Sequence, residues 1–282
     1  MSSTAFQTMY RQEFIAGFER GMTLLRPTVT TEVEVNGNEA VFLVADSGSA
    51  TAVTRGVNGD IPTRPDNLNQ YTATLQEWHD VPERTNFNIF ASQGDGRRIM
   101  QETSLKVLNR KIDDDIISAL SAGTQTQTMT NTSATTFISD IMEMAVTLGE
   151  ADADYDAEIT AIVSPAFYAN LFLLDQFTSA DYIRNQMFPN GVPKNRGAAW
   201  NGVNWIRHTG LSGMGTATCY CYMYSKNAIG HACDMERLTT LVGYDDKNDK
   251  SWARATGYFG SKLLQNTGVI KITHDDTDVI GS

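Results

Sequence analysis

A long polar segment between two predicted strands constrains the fold of this chain most. Ala40–Val44 and Asn86–Phe90 predict strands, and roughly forty residues rich in Gly, Ser, Thr, Asn and Pro separate them. An ordered loop of that length is unusual inside a compact domain. The alternation in YTATLQEW, residues 71–78, is typical of a strand. We therefore predict a long two-stranded β-hairpin that leaves the body, with disorder as the alternative.

The predicted hairpin bears on whether the chain is self-contained. An isolated two-stranded hairpin is only marginally stable in water. It needs a second surface to lie on, and a neighbouring subunit is the natural candidate. The segment therefore favours a protein that works as one copy among several.

A single long helix is predicted after Gly94. Apolar residues there fall mostly three and four positions apart, at Ile99, Leu105, Leu108, Ile112, Ile116 and Leu120. Gly123 stands where a helix C-cap is expected. A helix from Asp95 to Ala122 is about 40 Å long, whereas a compact chain of this length has a radius of gyration of about 19 Å. The helix should cross nearly the whole molecule as a spine.

The remaining elements are mixed in order. An amphipathic helix, or a broken helix weakened by Gly17 and Gly21, is predicted to stop at Pro27. Its apolar positions are Phe6, Tyr10, Phe14, Phe18, Met22 and Leu25. Residues 124–136 are a polar linker, and a further helix follows from Phe137 to Leu148. Ser164 should cap a helix that has Pro165 at its first position. With strands predicted at 201–210, 218–225, 228–234 and 268–276 and no regular alternation, the pattern favours an α+β fold.

Composition and charge exclude several classes of function. The 282 residues carry a formal net charge of -11, which is opposite to the basic surface of a nucleic-acid binder. There is no run of eighteen apolar residues that would span a membrane. The start of the chain lacks the basic and apolar regions of a secretory signal, so the cytoplasm of the producing cell is the expected site of synthesis. Three cysteines do not suggest a disulfide framework.

Two acidic stretches could suggest chemistry. In GEADADYDAE, residues 149–158, three aspartates match the start of a calcium loop, but Ala157 and Val163 occupy the positions of its essential Gly and Glu. A solvated turn is the better interpretation. Asp113–Asp115 point in different directions on a helix, and Arg110–Asp114 and Lys111–Asp115 are spaced as i,i+4 pairs. We interpret this second stretch as surface, not catalysis.

Cysteine and histidine offer one possible metal site. Cys219, Cys221, His231 and Cys233 flank a predicted hairpin turn at 225–228, so four zinc ligands could cluster. Reduced cysteines packed under a sheet are the favoured alternative. The four histidines, His79, His208, His231 and His274, form no recognisable triad, and no Walker-type loop occurs. The sequence predicts no catalytic site, no cofactor and no resident metal.

Several segments, in this order, resemble a known family. They are ATLQEWHDVPERTNFNIFASQGDGRRIMQETSLKVLNRKIDDDIISALSAG (73–123), AIVSPAFYANLFLLDQF (161–177), YMYSKNAIGHA (222–232) and GYFGSKLLQNTGVIKI (257–272). They are similar to tailed-bacteriophage major capsid proteins, which have the Hong Kong 97-like fold. The resemblance implies an N-terminal arm (1–32), an extended loop (33–85), a peripheral domain with the spine (86–135), an axial domain (136–234) and peripheral closing strands (235–282).

The same resemblance implies a structural protein and not an enzyme. Copies of such a chain form hexamers and pentamers of an icosahedral shell around double-stranded DNA, are made in the bacterial host cytoplasm, and meet portal, scaffolding and cement proteins. Relatives that cross-link use a lysine on the extended loop, but residues 1–105 contain no lysine, so we expect a non-covalent shell. The chain begins at the arm, so a separate scaffolding protein or none is expected.

Two alternatives remain open at the level of sequence. One is another virion or tail structural protein, and a less favoured one is a metal-dependent hydrolase. For the capsid hypothesis, the predicted interface residues are Arg55 and Arg64 near the tip of the hairpin, which would pair with carboxylates of a neighbouring copy.

Overall fold

The computed structural model describes residues 20–33, 35, 37–47, 50–55, 59, 61–64, 67–91, 96–155, 157–178 and 197–280. The helices are α1 (Asn86–Ala91), α2 (Gly96–Ser121), α3 (Ala134–Glu150), α4 (Pro165–Leu171) and α5 (Asp175–Thr178). The strands are β1 (Thr30–Glu32), β2 (Glu39–Asp46), β3 (Asn67–Thr74), β4 (Gln76–Asp80), β5 (Glu83–Thr85), β6 (Gln125–Thr128), β7 (Ile159–Val163), β8 (Gly197–Trp200), β9 (Val203–Arg207), β10 (Cys219–Ser225), β11 (Ile229–Asp245), β12 (Lys250–Leu263) and β13 (Val269–His274). The chain is a mixed α+β protein, as the sequence predicts.

A five-stranded sheet is built around the long antiparallel pair β11–β12. β1 joins β11 in parallel, and β4 and β5 both pair with β12. Helix α2 packs along β12 and confirms the predicted spine to within one residue at each end. Its buried face includes Ile112, Ile116 and Leu120, each of which contributes roughly 1.5–3 kcal/mol by leaving water. Leu105, which the periodicity places on the same face, is exposed.

A six-stranded sheet with the order β6-β13-β10-β7-β9-β8 forms the second layer. Every residue of β7 is buried, as expected for a strand covered on both faces. Helix α3 begins where the Ser133 hydroxyl accepts a hydrogen bond from the Thr136 amide, and it buries Phe137, Ile141 and Met144 in the main core. Ser164 caps α4 with Pro165 in the first turn, so that prediction is confirmed.

Connections between the two sheets lie side by side. The chain leaves α2 for β6 at residues 122–124, leaves β10 for β11 through a 3₁₀ turn at Lys226–Ala228, and returns from β12 to β13 through another at Asn266–Gly268. The Thr124 amide donates to Asn266 Oδ1 over 2.9 Å, and the Leu264 amide donates to the Ala228 carbonyl over 2.8 Å. These hydrogen bonds join the crossover segments at the border between the sheets.

The predicted hairpin is confirmed. β2 and β3 are antiparallel, from the pair Glu39–Thr74 at the base to the pair Asp46–Asn67 near the tip. At the base, Ala40 and Ala73 pack with Ala232 of β11 in a small separate apolar cluster. The base of the hairpin therefore rests on the five-stranded sheet.

The strand predicted at 86–90 is wrong, because this segment forms α1. The Thr85 hydroxyl accepts a hydrogen bond from the Asn88 amide, as an N-cap does. The Asn86 side chain bonds to Asp249, just before β12, and to Ser251, near the start of that strand. Caps and distant polar partners, which the apolar content of the segment does not reveal, favour the helix.

Two further predictions need correction. Most of the helix predicted up to Leu25 precedes residue 20 and so lies outside the described residues. Residues 20–25 are described and are not helical. A 3₁₀ turn at Arg26–Thr28 follows them. The predicted linker at 124–136 contains β6, which pairs in parallel with β13. β6 is a polar edge strand, so it lacks the apolar alternation that identifies a strand in sequence.

Candidate assembly surfaces

One face of the hairpin carries apolar side chains that its own body does not cover. Val41, Leu43 and Ala45 alternate along β2, and the register places Leu68 directly opposite Ala45. Val41 is 55% exposed, Leu43 60% and Leu68 49%. The opposite face, with Ala40, is the one that packs on the five-stranded sheet. We call Val41, Leu43 and Leu68 the outer row.

Arg55 and Arg64, the interface residues predicted from the sequence, both lie in the segment that connects β2 to β3, and both are exposed. The Arg64 guanidinium donates to the Ser47 carbonyl over 2.8 Å, which ties this side chain to the other end of the connection. Val53 and Ile61 in the same segment are also strongly exposed. The segment between β2 and β3 thus exposes two guanidinium groups and two apolar side chains to solvent.

The seat of the hairpin depends on two close approaches to glycine. A Cβ atom on Gly260 would lie 2.2 Å from the Thr74 carbonyl oxygen, and one on Gly230 would lie 2.9 Å from the Phe42 ring. Only glycine allows such an approach without displacement of the neighbour. The hairpin base is therefore held closely against β11 and β12.

Asp113 is fully buried, so the prediction that this acidic stretch is only surface is wrong for this residue. Its carboxylate accepts hydrogen bonds from the Thr23 hydroxyl (2.6 Å) and from the amides of Leu24 (3.2 Å) and Leu25 (3.3 Å). Its other oxygen lies 3.2 Å from Nε2 of His208, which is also buried. Burial alone would raise the pKa of Asp113, but the hydrogen bonds from His208, Thr23 and Leu24 outweigh it and hold the pKa below its usual value.

Arg20 covers this group from the solvent side. One guanidinium nitrogen lies 3.0 Å from His208 Nε2, and the other donates to Asp114 over 2.8 Å. The Gly210 amide donates to His208 Nδ1, which leaves Nε2 to face Asp113. These contacts join the N-terminal segment to the spine and to the loop after β9. The residues that make them are Arg20, Thr23, Asp113 and His208.

A second buried cluster resembles catalytic residues in composition but not in geometry. The Ser164 hydroxyl donates to Asp276 over 2.6 Å, His274 Nδ1 lies 2.8 Å from the same carboxylate, and Asn170 bonds to His274 Nε2. In a nucleophilic triad the serine bonds to the imidazole, whereas here both bond to the carboxylate. Burial lowers the pKa of His274. The cluster holds the residues after β13 against the start of α4.

The cysteines and histidines predicted as a possible zinc cluster lie on different sheets. The predicted β10–β11 hairpin is wrong: β10, with Cys219 and Cys221, pairs with β13 and β7, whereas β11, with His231 and Cys233, pairs with β1 and β12. His231 Nδ1 bonds to Ser261 over 2.9 Å. In the part of the chain that the structure describes, no group of three or more His, Cys, Asp or Glu could hold a metal ion.

The acidic stretch at 149–158 lies where the sequence predicts a turn, between α3 and β7. Asp152 and Asp154 are exposed to solvent, and Asp156 lies outside the described residues. Over those described residues, no helix is both long and apolar enough to cross a membrane.

A spine helix on a long β-ribbon, a second mixed sheet and a projecting hairpin define the fold of tailed-phage major capsid proteins. The sequence matches the phage capsid protein family over residues 2–276, and the chain belongs to that family. It is a structural capsid protein of the virion. No protein among the curated sequences matches it.

Solved structures agree in fold at low sequence identity. A chain from Mycobacterium phage Che8 superposes with a TM-score of 0.75 at 14% identity, covering 96% of this chain and 98% of that one. A chain from Gordonia phage Cozz gives 0.70 at 13% identity, with 96% and 92% covered. The capsid of Ralstonia phage GP4 gives 0.68 at 12% identity, with 98% and 96% covered. In each of the three comparisons the likeness covers at least 96% of this chain.

Proposed function

We propose that copies of this chain form hexamers and pentamers that tile an icosahedral shell around double-stranded DNA. The observation that carries this proposal is the outer row of the hairpin, whose apolar side chains a single chain leaves in water. An exposed apolar surface on a projecting element favours a protein–protein contact. Membership of the capsid family makes another copy of the chain the natural occupant.

We propose that the chain consists of four parts of a capsid subunit: an arm, an extended loop, a peripheral domain and an axial domain. Residues 1–32 are the arm and 33–85 the extended loop. The five-stranded sheet with the spine corresponds to the peripheral domain, predicted at 86–135 and 235–282. The six-stranded sheet corresponds to the axial domain, predicted at 136–234. β6 and β13 fall in the ranges predicted as peripheral but belong to the six-stranded sheet, and the start of β11 falls in the range predicted as axial but belongs to the five-stranded sheet. We therefore propose a division by sheet.

Arg55 and Arg64 are proposed to pair with carboxylates of a neighbouring copy. Both are exposed at the tip of the hairpin, and a chain with a net charge of -11 offers many carboxylates to receive them. The pairs would orient the hairpin, while the outer row supplies most of the contact energy, since exposed ion pairs contribute about 1 kcal/mol or less.

Charge reversal at both positions tests this assignment. The double variant Arg55→Glu with Arg64→Glu should fold as the wild type does but assemble poorly, as measured by particle yield and by the heat resistance of the particles in negative-stain microscopy. The matched Arg55→Lys with Arg64→Lys variant keeps the charge and should assemble. Shells of normal yield and heat resistance in the Glu variant would refute the assignment. Rings or tubes from the wild type would instead indicate another virion or tail component.

The shell is proposed to be held without covalent links between subunits and to act without catalysis or a cofactor. The hairpin has no lysine, so it lacks the nucleophile that an isopeptide link needs. The buried Asp113–His208 pair and the Ser164–Asp276–His274 cluster hold segments of the chain together. Assembly in the host cytoplasm, with portal, scaffolding and cement proteins as further partners, belongs to the same proposal.

A further inference from the structure

One carboxylate holds two distant parts of the chain at once. Asp113 Oδ1 accepts the Thr23 hydroxyl and the amides of Leu24 and Leu25, all in the segment that leads out to the N-terminal arm. Asp113 Oδ2 faces His208, which directly follows β9 of the six-stranded sheet. The spine therefore carries a shared contact between the arm and the second layer.

Burial makes these two contacts dependent on each other. Asp113, His208 and Leu25 are all shielded from solvent, so water cannot replace a lost hydrogen bond. A buried charge that loses a partner is strongly destabilised, by several kcal/mol when uncompensated. Removing either set of donors from Asp113 should therefore weaken the hold of the carboxylate on the other set.

We propose that residues 20–25 form a strap whose seating on the spine is coupled, through Asp113, to the position of the His208 loop. Arg20 adds a second link, because its guanidinium group donates to Asp114 on the spine and also lies against the His208 ring, within 3.3 Å of both ring nitrogens. Movement of the arm and movement of the six-stranded sheet relative to the spine are then linked. The consequence for a shell, in which a neighbour that engages the arm shifts the axial domain, rests on the proposed function; the coupling itself belongs to a single chain.

Amide hydrogen exchange of the unassembled full-length protein tests the coupling. The Leu24 and Leu25 amides donate directly to Asp113 and report on the strap. His208→Leu should lower the protection of peptides that cover residues 20–28 by about 5-fold or more, in the range of ordinary coupling energies. His274→Leu is the matched control, because it also removes a donor from a buried carboxylate of the second layer. It should leave the strap unchanged.

The reverse experiment uses the reciprocity of coupled equilibria. Thr23→Val removes only the hydroxyl from Asp113 and should lower the protection of peptides covering 203–211, where the Gly210 amide donates to His208. This variant carries the test if His208→Leu does not fold. The proposal is overturned if strap protection in His208→Leu equals the wild type, if His274→Leu loosens the strap equally, or if Thr23→Val leaves 203–211 unchanged. Failure of the wild type to form shells would refute the proposed function and leave the coupling intact.

Discussion

At the scale of single residues, Asp113 shows how a polar side chain enters the core. It lies three, four and seven positions before Ile116, Ile117 and Leu120, all of which are buried. Asp113 therefore lies on the apolar face of the spine, and this spacing in the sequence indicates that it is buried. The neighbouring Asp114 and Asp115 suggest the opposite, because a run of three aspartates is typical of a solvated surface. The partners Thr23 and His208 are distant in sequence and gave no local indication.

The buried and exposed aspartates of this run should respond very differently to substitution. Asp113→Ala leaves His208 and two backbone amides without their acceptor, and we expect a loss of about 3–5 kcal/mol in the free energy of unfolding. Asp114, with 48% of its side chain exposed, pairs only with Arg20 among the contacts described above, so Asp114→Ala should cost about 1 kcal/mol or less. Denaturant unfolding of both variants measures this. Equal losses would contradict the burial argument.

We expect His231 to make the free energy of unfolding depend on pH. Burial, together with the nearby Arg26 charge, lowers the pKa of His231 to about 4, whereas an unfolded imidazole titrates near 6.5. The unfolded chain therefore binds the proton first as the pH falls, and stability declines between about pH 6.5 and about pH 4. The full difference corresponds to about 3 kcal/mol.

A variant isolates the contribution of this one group. His231→Asn keeps a hydrogen-bond donor toward Ser261 but does not titrate. The free energy of unfolding of this variant should therefore change less than that of the wild type between pH 7 and pH 4.5. For each protein, the value at pH 7 serves as the reference. If wild type and variant show the same decline over that interval, another group is responsible.

At the scale of elements, local patterns predicted those parts that local forces decide. The spine follows from a 3.6-residue apolar repeat and the hairpin from strand alternation around a polar connection. Local patterns do not predict α1 and β6, because their partners lie far away in sequence: Asn86 bonds to Asp249, and Gln125 pairs with Ile270. The predicted β10–β11 hairpin is wrong because a short turn between two strands does not reveal that the chain changes sheets there.

The close packing of the hairpin base against β12 predicts that Gly260 does not tolerate a larger residue. Gly260→Ala places a methyl group 2.2 Å from the Thr74 carbonyl oxygen, so the hairpin base or β12 must shift. We expect a loss of about 1–3 kcal/mol, as in other overpacked sites, and reduced particle yield. Gly149→Ala is the control: it lies in α3, where a new Cβ meets only Asp154 Oδ2 at 3.8 Å, and it should stabilise by about 0.5–1 kcal/mol. Thermal unfolding distinguishes the two, and a neutral Gly260→Ala would contradict the close seat.

Considered as a whole, the molecule has a well-packed core, whereas its projecting hairpin leaves apolar side chains exposed to solvent. The main core combines α2, α3 and both sheets in one cluster. The hairpin base packs in a much smaller cluster, in which Ala40 and Ala73 meet Ala232 of β11 and Val35, Phe42 and Leu75 are partly buried. A protomer should therefore fold before it assembles, with its hairpin the least stable element. Assembly would then complete the burial that the single chain lacks.

Hydrogen exchange of the backbone in two assembly states tests this directly. In unassembled protein, amides of β2 and β3 should exchange quickly, because an exposed two-stranded hairpin opens easily, while those of α2 from Met100 to Leu120 should be protected. In particles, β2 and β3 should gain protection and α2 should change little. The double variant Leu43→Asn with Leu68→Asn removes apolar surface of the outer row. It should lower both the protection that β2 and β3 gain on assembly and the particle yield. Gln70→Asn, on the same face opposite Leu43, should change neither. A hairpin equally protected before and after assembly would mean that its own body already shelters it, and the outer row would then have no role between subunits.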